Sequence, residues 1–236
     1  MTSRADAIRS DADHRLQQEF NQWAEAGRGD EMESHHSDIT DQTLALMDLD
    51  PSDRVLDLGC GTGWASRRLA RAVNAGEVVG VDVADEMLRR AERASTGIKN
   101  VRYVWGSAEK IPAPDNYFNK VLSVESFYYY ADQGRALDEV RRVMAPGGGL
   151  FILINLYKDN HYSLRWVKEL KVPVQTLSEV EYVRLLRERG FGNVAARRIP
   201  DRSPTPEQYS GKWFKNAEEL RDFKRIGALL LMGQKE

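Results

Sequence analysis

The sequence predicts an α/β fold: a doubly wound, Rossmann-like sheet of mostly parallel strands behind an N-terminal helical cap. Three observations predict it. From residue 51 onward, short apolar runs alternate with segments of helical period, as in parallel strands joined by helical crossovers. The first run, VLDL (55–58), leads directly into GCGTG (59–63), three glycines in five positions. The second run ends on an acidic residue, Asp82.

The elements follow in order. Leu16, Phe20 and Trp23 fall near helical spacing and predict a short amphipathic helix. A loop, AGRGDEMESHHSD, is expected next, then a second helix over 40–49 that stops at Pro51. Beyond VLDL, residues 64–73 (WASRRLARAV) read as a helix, EVVGVDV (77–83) as a strand and ADEMLRRAERAS (84–95) as a helix. VRYVWG (101–106) and YFNKVLSVES (117–126) are strands. QGRALDEVRRVM (133–144) is a helix ended by APGGG, and LFILINL (150–156) is the most apolar strand. A helix over 177–190 and two final strands, 194–199 and 227–235, complete the chain. Residues 1–50 are therefore expected to form a cap and 51–236 one domain, with inserts at about 156–175 and 200–226.

Composition excludes several classes. The 236 residues carry a net charge of −2, which argues against a nucleic-acid protein held by bulk charge. The single cysteine, Cys60, excludes an internal disulfide, and no metal site is expected. No apolar run is long enough to span a membrane, and the polar start lacks the apolar core of a signal peptide. A cytoplasmic protein, monomeric or a homodimer, is the expectation.

In an open parallel sheet, ligands sit beyond the carboxyl ends of the strands. The glycine loop lies there, where it turns tightly and lets a ligand approach the backbone. Asp82, at the end of the next strand, suits the two adjacent hydroxyls of a ribose. An adenosine-type cofactor is indicated; the alternative is a glycine turn with no ligand. A nicotinamide dinucleotide fits poorly, because its G-x-G-x-x-G fingerprint needs a glycine where Trp64 stands. A P-loop is excluded, since no Gly-Lys-Ser/Thr follows.

Four segments together resemble the class I S-adenosylmethionine-dependent methyltransferases: VLDLGCGTG, VVGVDVADEML, GSAEKIPAPDNYFNKVLS and RRVMAPGGGLFI. The similarity is strongest over roughly residues 50–155 and toward the small-molecule branch that includes ubiquinone and menaquinone C-methyltransferases. It implies a seven-stranded sheet whose last strand runs antiparallel between the fifth and sixth. It implies S-adenosylmethionine as cofactor. Asp57 and Gly59, Cys60, Gly61 and Gly63 would face its methionine end; Asp82 and Val83 would hold its ribose. Met87, Ser107, Ala108 and Glu109 would lie along the adenine, although Glu109 reads equally as a helix-capping surface residue. Many relatives carry Asp where Ser107 stands, and a neutral hydroxyl is the weaker acceptor. Val124 would run beside the methionine moiety, and Trp23 on the cap would close over the cofactor.

The expected acceptor is a small, largely apolar or aromatic molecule. Aromatics crowd the segments on the cofactor side: Phe127, Tyr128 and Tyr129, then Tyr157 and Trp166, then Trp213. Such residues line small-molecule sites; equally, they cement loops. Glu125, directly after the fourth strand, is the preferred acidic residue near the methyl group, and His35 or His161 are candidate bases. The alternatives are an RNA- or protein-modifying methyltransferase and a non-catalytic cofactor-binding subunit acting through a partner. The first is disfavoured because Glu125-Ser126-Phe127-Tyr128 replaces the Asn/Asp-Pro-Pro-Tyr/Phe common in enzymes acting on amide or exocyclic amines.

Overall fold

The computed structural model describes residues 11–236. Seven strands form one sheet: β1 (Arg54–Leu58), β2 (Glu77–Asp82), β3 (Val101–Trp105), β4 (Phe118–Val124), β5 (Met144–Ile154), β6 (Phe191–Ile199) and β7 (Ala228–Lys235). Their spatial order is β3-β2-β1-β4-β5-β7-β6. The pairs β1–β2, β1–β4, β2–β3 and β4–β5 are parallel. β7 runs antiparallel to both β5 and β6, as the family resemblance implies. The chain order reverses at β1, and that switch point places the glycine loop in the crevice between β2 and β4.

The helices are α1 (Asp11–Glu25), α2 (Arg28–Leu46), α3 (Trp64–Ala72), α4 (Asp85–Ala94), α5 (Gln133–Val143), α6 (Glu179–Glu188) and α7 (Ala217–Ile226). Successive strand residues point to opposite faces, and the sheet is apolar on both. Val55, Val78, Leu122, Leu153 and Leu230 pack under Ile39 of α2, its C-cap Met47, and Trp64 and Leu69 of α3. Their neighbours Leu56, Val79, Val121, Ile152 and Leu231 pack under Leu137 and Val140 of α5 and Tyr182 and Leu186 of α6.

Three expectations need correction. The loop AGRGDEMESHHSD is mostly helix: α2 runs from Arg28 through the segment expected as a separate second helix. Its inward stripe is Met32, His36, Ile39, Thr43 and Met47, spaced four, three, four and four. Two of those residues are polar, which hides the period. Gly27, with φ 75°, makes the break from α1. Second, the insert at 200–226 ends in a helix, α7, whose N-cap Asn216 accepts the Glu219 N–H at 2.9 Å. Third, APGGG does not precede β5 but lies within it, where the pairing with β4 shifts register between Phe118 and Lys120.

Candidate active site

The glycine loop is shaped by its neighbours. Gly59, Gly61 and Gly63 have φ of 75°, 52° and 73°, a region costly for side chains other than glycine. A Cβ on Gly59 would lie 2.4 Å from Ser126 Oγ. The Gly59 and Cys60 N–H groups both donate to Val81 O, at 2.8 and 3.1 Å, folding the loop onto the end of β2. The Gly61 N–H donates to Asp82 Oδ2 and the Ala84 N–H to Asp82 Oδ1, each at 2.9 Å. Asp82 is thereby fixed at the cleft wall, and loss of water around it raises its pKa.

Beside this loop opens a cleft of about 960 Å³, the space at its mouth included. Gly59, Cys60, Gly61, Asp82 and Val83 form its floor. Met87, Ser107, Ala108 and Glu109 form one side. Val124, Glu125 and Tyr129 form the other, and Trp23 of α1 lines the cleft beside Met87. These are thirteen of the residues singled out from the sequence, brought to one place.

Glu125 is the most constrained of them. It follows β4 with φ 53°, a left-handed backbone that non-glycine residues seldom adopt and that gathers at functional sites. Its own N–H donates to Leu153 O at 2.9 Å. Its Oε1 accepts the Asn155 N–H at 2.6 Å and its Oε2 accepts the Tyr128 hydroxyl at 3.0 Å. The side chain is 7% exposed. Burial pushes its pKa up to about 7, against the two hydrogen bonds, which favour the charged form. A carboxyl that exchanges its proton near neutrality, on a cleft wall, suits acid–base work.

Several residues singled out from the sequence lie elsewhere. Asp57 is buried behind the loop, where Ser66 Oγ donates to its Oδ2 at 2.5 Å; burial raises its pKa to about 6. Gly63 packs against Tyr103 and does not line the cleft. Phe127 belongs to the core beside Tyr130 and Tyr182, and the Tyr128 hydroxyl is spent on Glu125. Tyr157 is fully buried, donates to Gly227 O at 2.9 Å and lies under the Arg198 guanidinium. Trp166 and Trp213 pack on each other at 5.8 Å and, with Phe214 and Phe223, tie the two inserts together. His35 is exposed on α2, and His161 is exposed with its ring on Tyr162. None of these residues lines the cleft. Glu109 lines the cleft, and its Oε1 accepts the N–H of Asp132, the N-cap of α5.

The sequence reading missed other lining residues. Asp13, Leu16 and Phe20 come from α1, Gly29 and Met32 from α2, and Thr62 and Trp64 from the loop and α3. Ser126 and Tyr130 add a hydroxyl pair, 2.9 Å apart, that both donate to Leu58 O. Leu16 and Phe20 were visible as helical spacing; Asp13 and Met32 gave no local signal.

Among the described residues, the lining carries four carboxyl groups, Asp13, Asp82, Glu109 and Glu125, and no Lys, Arg or His. Phosphates would be repelled there. A ligand with a sulfonium and an ammonium group, a ribose diol and no phosphate fits that charge. Among the described residues no group of three or more His, Cys, Asp and Glu side chains could hold a metal ion. No helix among them is long and apolar enough to cross a membrane.

The switch-point cleft, the glycine loop and the acidic lining define an α/β enzyme built for an adenosine cofactor that carries positive charge. The profile of the methyltransferase domain family matches residues 55–148. The chain is 30% identical over 195 residues to the 27-O-demethylrifamycin SV methyltransferase of Amycolatopsis mediterranei, covering 79% of this chain and 69% of that one. It is 38% identical over 115 residues to the ubiquinone/menaquinone biosynthesis C-methyltransferase UbiE of Ectopseudomonas mendocina, covering 47% of this chain but only 45% of that relative. Among solved structures it resembles a chain of the complex between the Haloferax volcanii Trm112 methyltransferase activator and a methyltransferase. The identity there is 31% and the TM-score 0.86, over 92% of this chain and 97% of that one. The chain belongs to the class I S-adenosylmethionine-dependent methyltransferases.

Proposed function

We propose that this methyltransferase acts on a small, largely apolar or aromatic acceptor that enters the cleft beneath α1 and α2. The observation that carries this reading is the composition of the cleft wall. Phe20 of α1 meets Tyr129 edge-on at 5.0 Å and Trp23 at 5.3 Å, so cap and domain close through aromatic rings. These rings, with Leu16 and Met32, line the same cleft as Glu125. Such a wall excludes water and strengthens the electrostatic interactions inside.

The cofactor supplies a methyl group made electrophilic by its sulfonium. The protein residues position the partners and handle a proton. Asp82 holds the ribose diol through its remaining lone pairs. The floor glycines admit the methionine end without a side chain in the way. Glu125, held by Tyr128 and the Asn155 N–H, receives a proton when the acceptor arrives as an alcohol, phenol or ammonium. An acceptor that is already a nucleophile needs only alignment.

A second reading, a methyltransferase that works with an activator protein, is favoured by the Haloferax volcanii structure, whose chain is solved with Trm112. One experiment separates the two: methyl-labelled S-adenosylmethionine, the purified protein and a fractionated cell extract. Label in the small-molecule fraction supports the pocket reading. Label in RNA or protein rejects it. Transfer only when extract proteins are retained supports the activator reading.

A further inference from the structure

Asp13 stands in the first turn of α1 and lines the cleft. Its Oδ1 accepts the Ser107 hydroxyl at 3.0 Å, across 94 residues of sequence. Ser107 follows β3, the strand beside β2, whose end carries Asp82. The cleft that Asp13 and Asp82 share is also lined by the apolar Val83, Met87, Ala108 and Leu16. Neighbouring strands lie about 4.8 Å apart. A nucleoside with its diol on Asp82 therefore projects its base over this lining toward Ser107 and Asp13.

The polar edge of adenine offers an exocyclic amine, a donor. Ser107 spends its one proton on Asp13, and its oxygen already accepts the Glu109 N–H at 3.3 Å. A carboxylate has about four acceptor sites and makes the stronger, charge-assisted bond. We infer that α1 supplies the group that selects adenine: Asp13, oriented by Ser107, accepts a hydrogen bond from the exocyclic amine. The inference rests on the cofactor placement proposed above, with the ribose on Asp82.

Recognition of the base and docking of the cap are then one event. α1 is held to α4 by Gln17 Nε2 donating to Asp85 Oδ2 and by the Glu86 N–H donating to Asn21 Oδ1, both at 2.9 Å. The Asp13–Ser107 bond ties the same helix to the end of β3. A cofactor amine on Asp13 adds a further tie, so the cofactor helps fasten the lid that covers it.

Calorimetric titration with S-adenosylhomocysteine and its 6-oxo analogue, S-inosylhomocysteine, tests this. The analogue presents an acceptor where the amine was. The protein should prefer the amine form by about tenfold or more, the scale of one hydrogen bond to a charged group. Asp13→Asn keeps the size of the side chain, offers both a donor and an acceptor, and should bind the two ligands about equally. Asp13→Ala should also lose the preference, and Asp13→Ala with Ser107→Asp should regain it. An unchanged preference in both single variants, or an equal loss of affinity for both ligands, would overturn the inference. Asp82→Ala separates the two levels. Weakened binding in Asp82→Ala with an intact amine preference in Asp13→Asn rejects the role of Asp13 alone. Unchanged binding in Asp82→Ala rejects the cofactor placement itself.

Discussion

The Tyr128 hydroxyl donates to Glu125 Oε2 at 3.0 Å, with both residues buried. The bond stabilises the charged carboxylate against the burial that raises its pKa to about 7. Tyr128→Phe removes that support and should push the pKa higher. The rising limb of the pH–rate profile should move to higher pH, at a stability cost of about 1 kcal/mol. A profile that keeps its limb would separate Tyr128 from the chemistry.

Glu125 also makes a signed statement about stability. Its folded pKa lies above the ordinary 4.5, so the native state binds more protons than the unfolded chain between pH 4.5 and about 7. The Glu125 contribution to stability therefore falls as pH rises through that window and levels off above it. Glu125→Gln should flatten this fall in urea denaturation series at pH 5, 6 and 7. An identical slope in the variant would show that other groups set it.

Asp82→Ala should weaken S-adenosylhomocysteine binding by about 1–3 kcal/mol, the scale for losing a charged hydrogen-bond partner. It also frees the Gly61 and Ala84 N–H groups that hold the glycine loop in shape. Calorimetry reads the affinity directly, and an unaltered value would remove Asp82 from the site.

Trp166→Ala should behave in the opposite manner. The ring is 5.3 Å from Phe223 and 5.8 Å from Trp213, outside the cleft. Its loss should cost on the order of 2 kcal/mol of stability and leave cofactor affinity unchanged. A selective loss of cofactor or acceptor binding would bring the inserts back into the site.

The glycine-loop floor of the cleft was legible because its signal is local. Gly59 and Gly61 lie within a few residues of the strand that presents them, and Asp82 closes the next strand in line. Glu125 was legible for the same reason, as the residue that follows β4. The cap was only half legible. The period of α2 is interrupted by His36 and Thr43, so a helix read as a loop. Asp13 meets Ser107 only after the chain has folded back over 94 residues, and nothing in either local sequence announces the pair. The insert aromatics misled for a different reason. Trp166 and Trp213 are at the right end of the sheet, but rings that find one another bury more area than rings held open around an empty space.

The most direct test of the account is an experimental structure with S-adenosylhomocysteine bound. The ribose diol should rest on Asp82, the adenine amine should point at Asp13, and the sulfur should face Glu125 beneath Phe20 and Tyr129. A nucleoside bound away from Asp82, or a sulfur turned from Glu125, would contradict it.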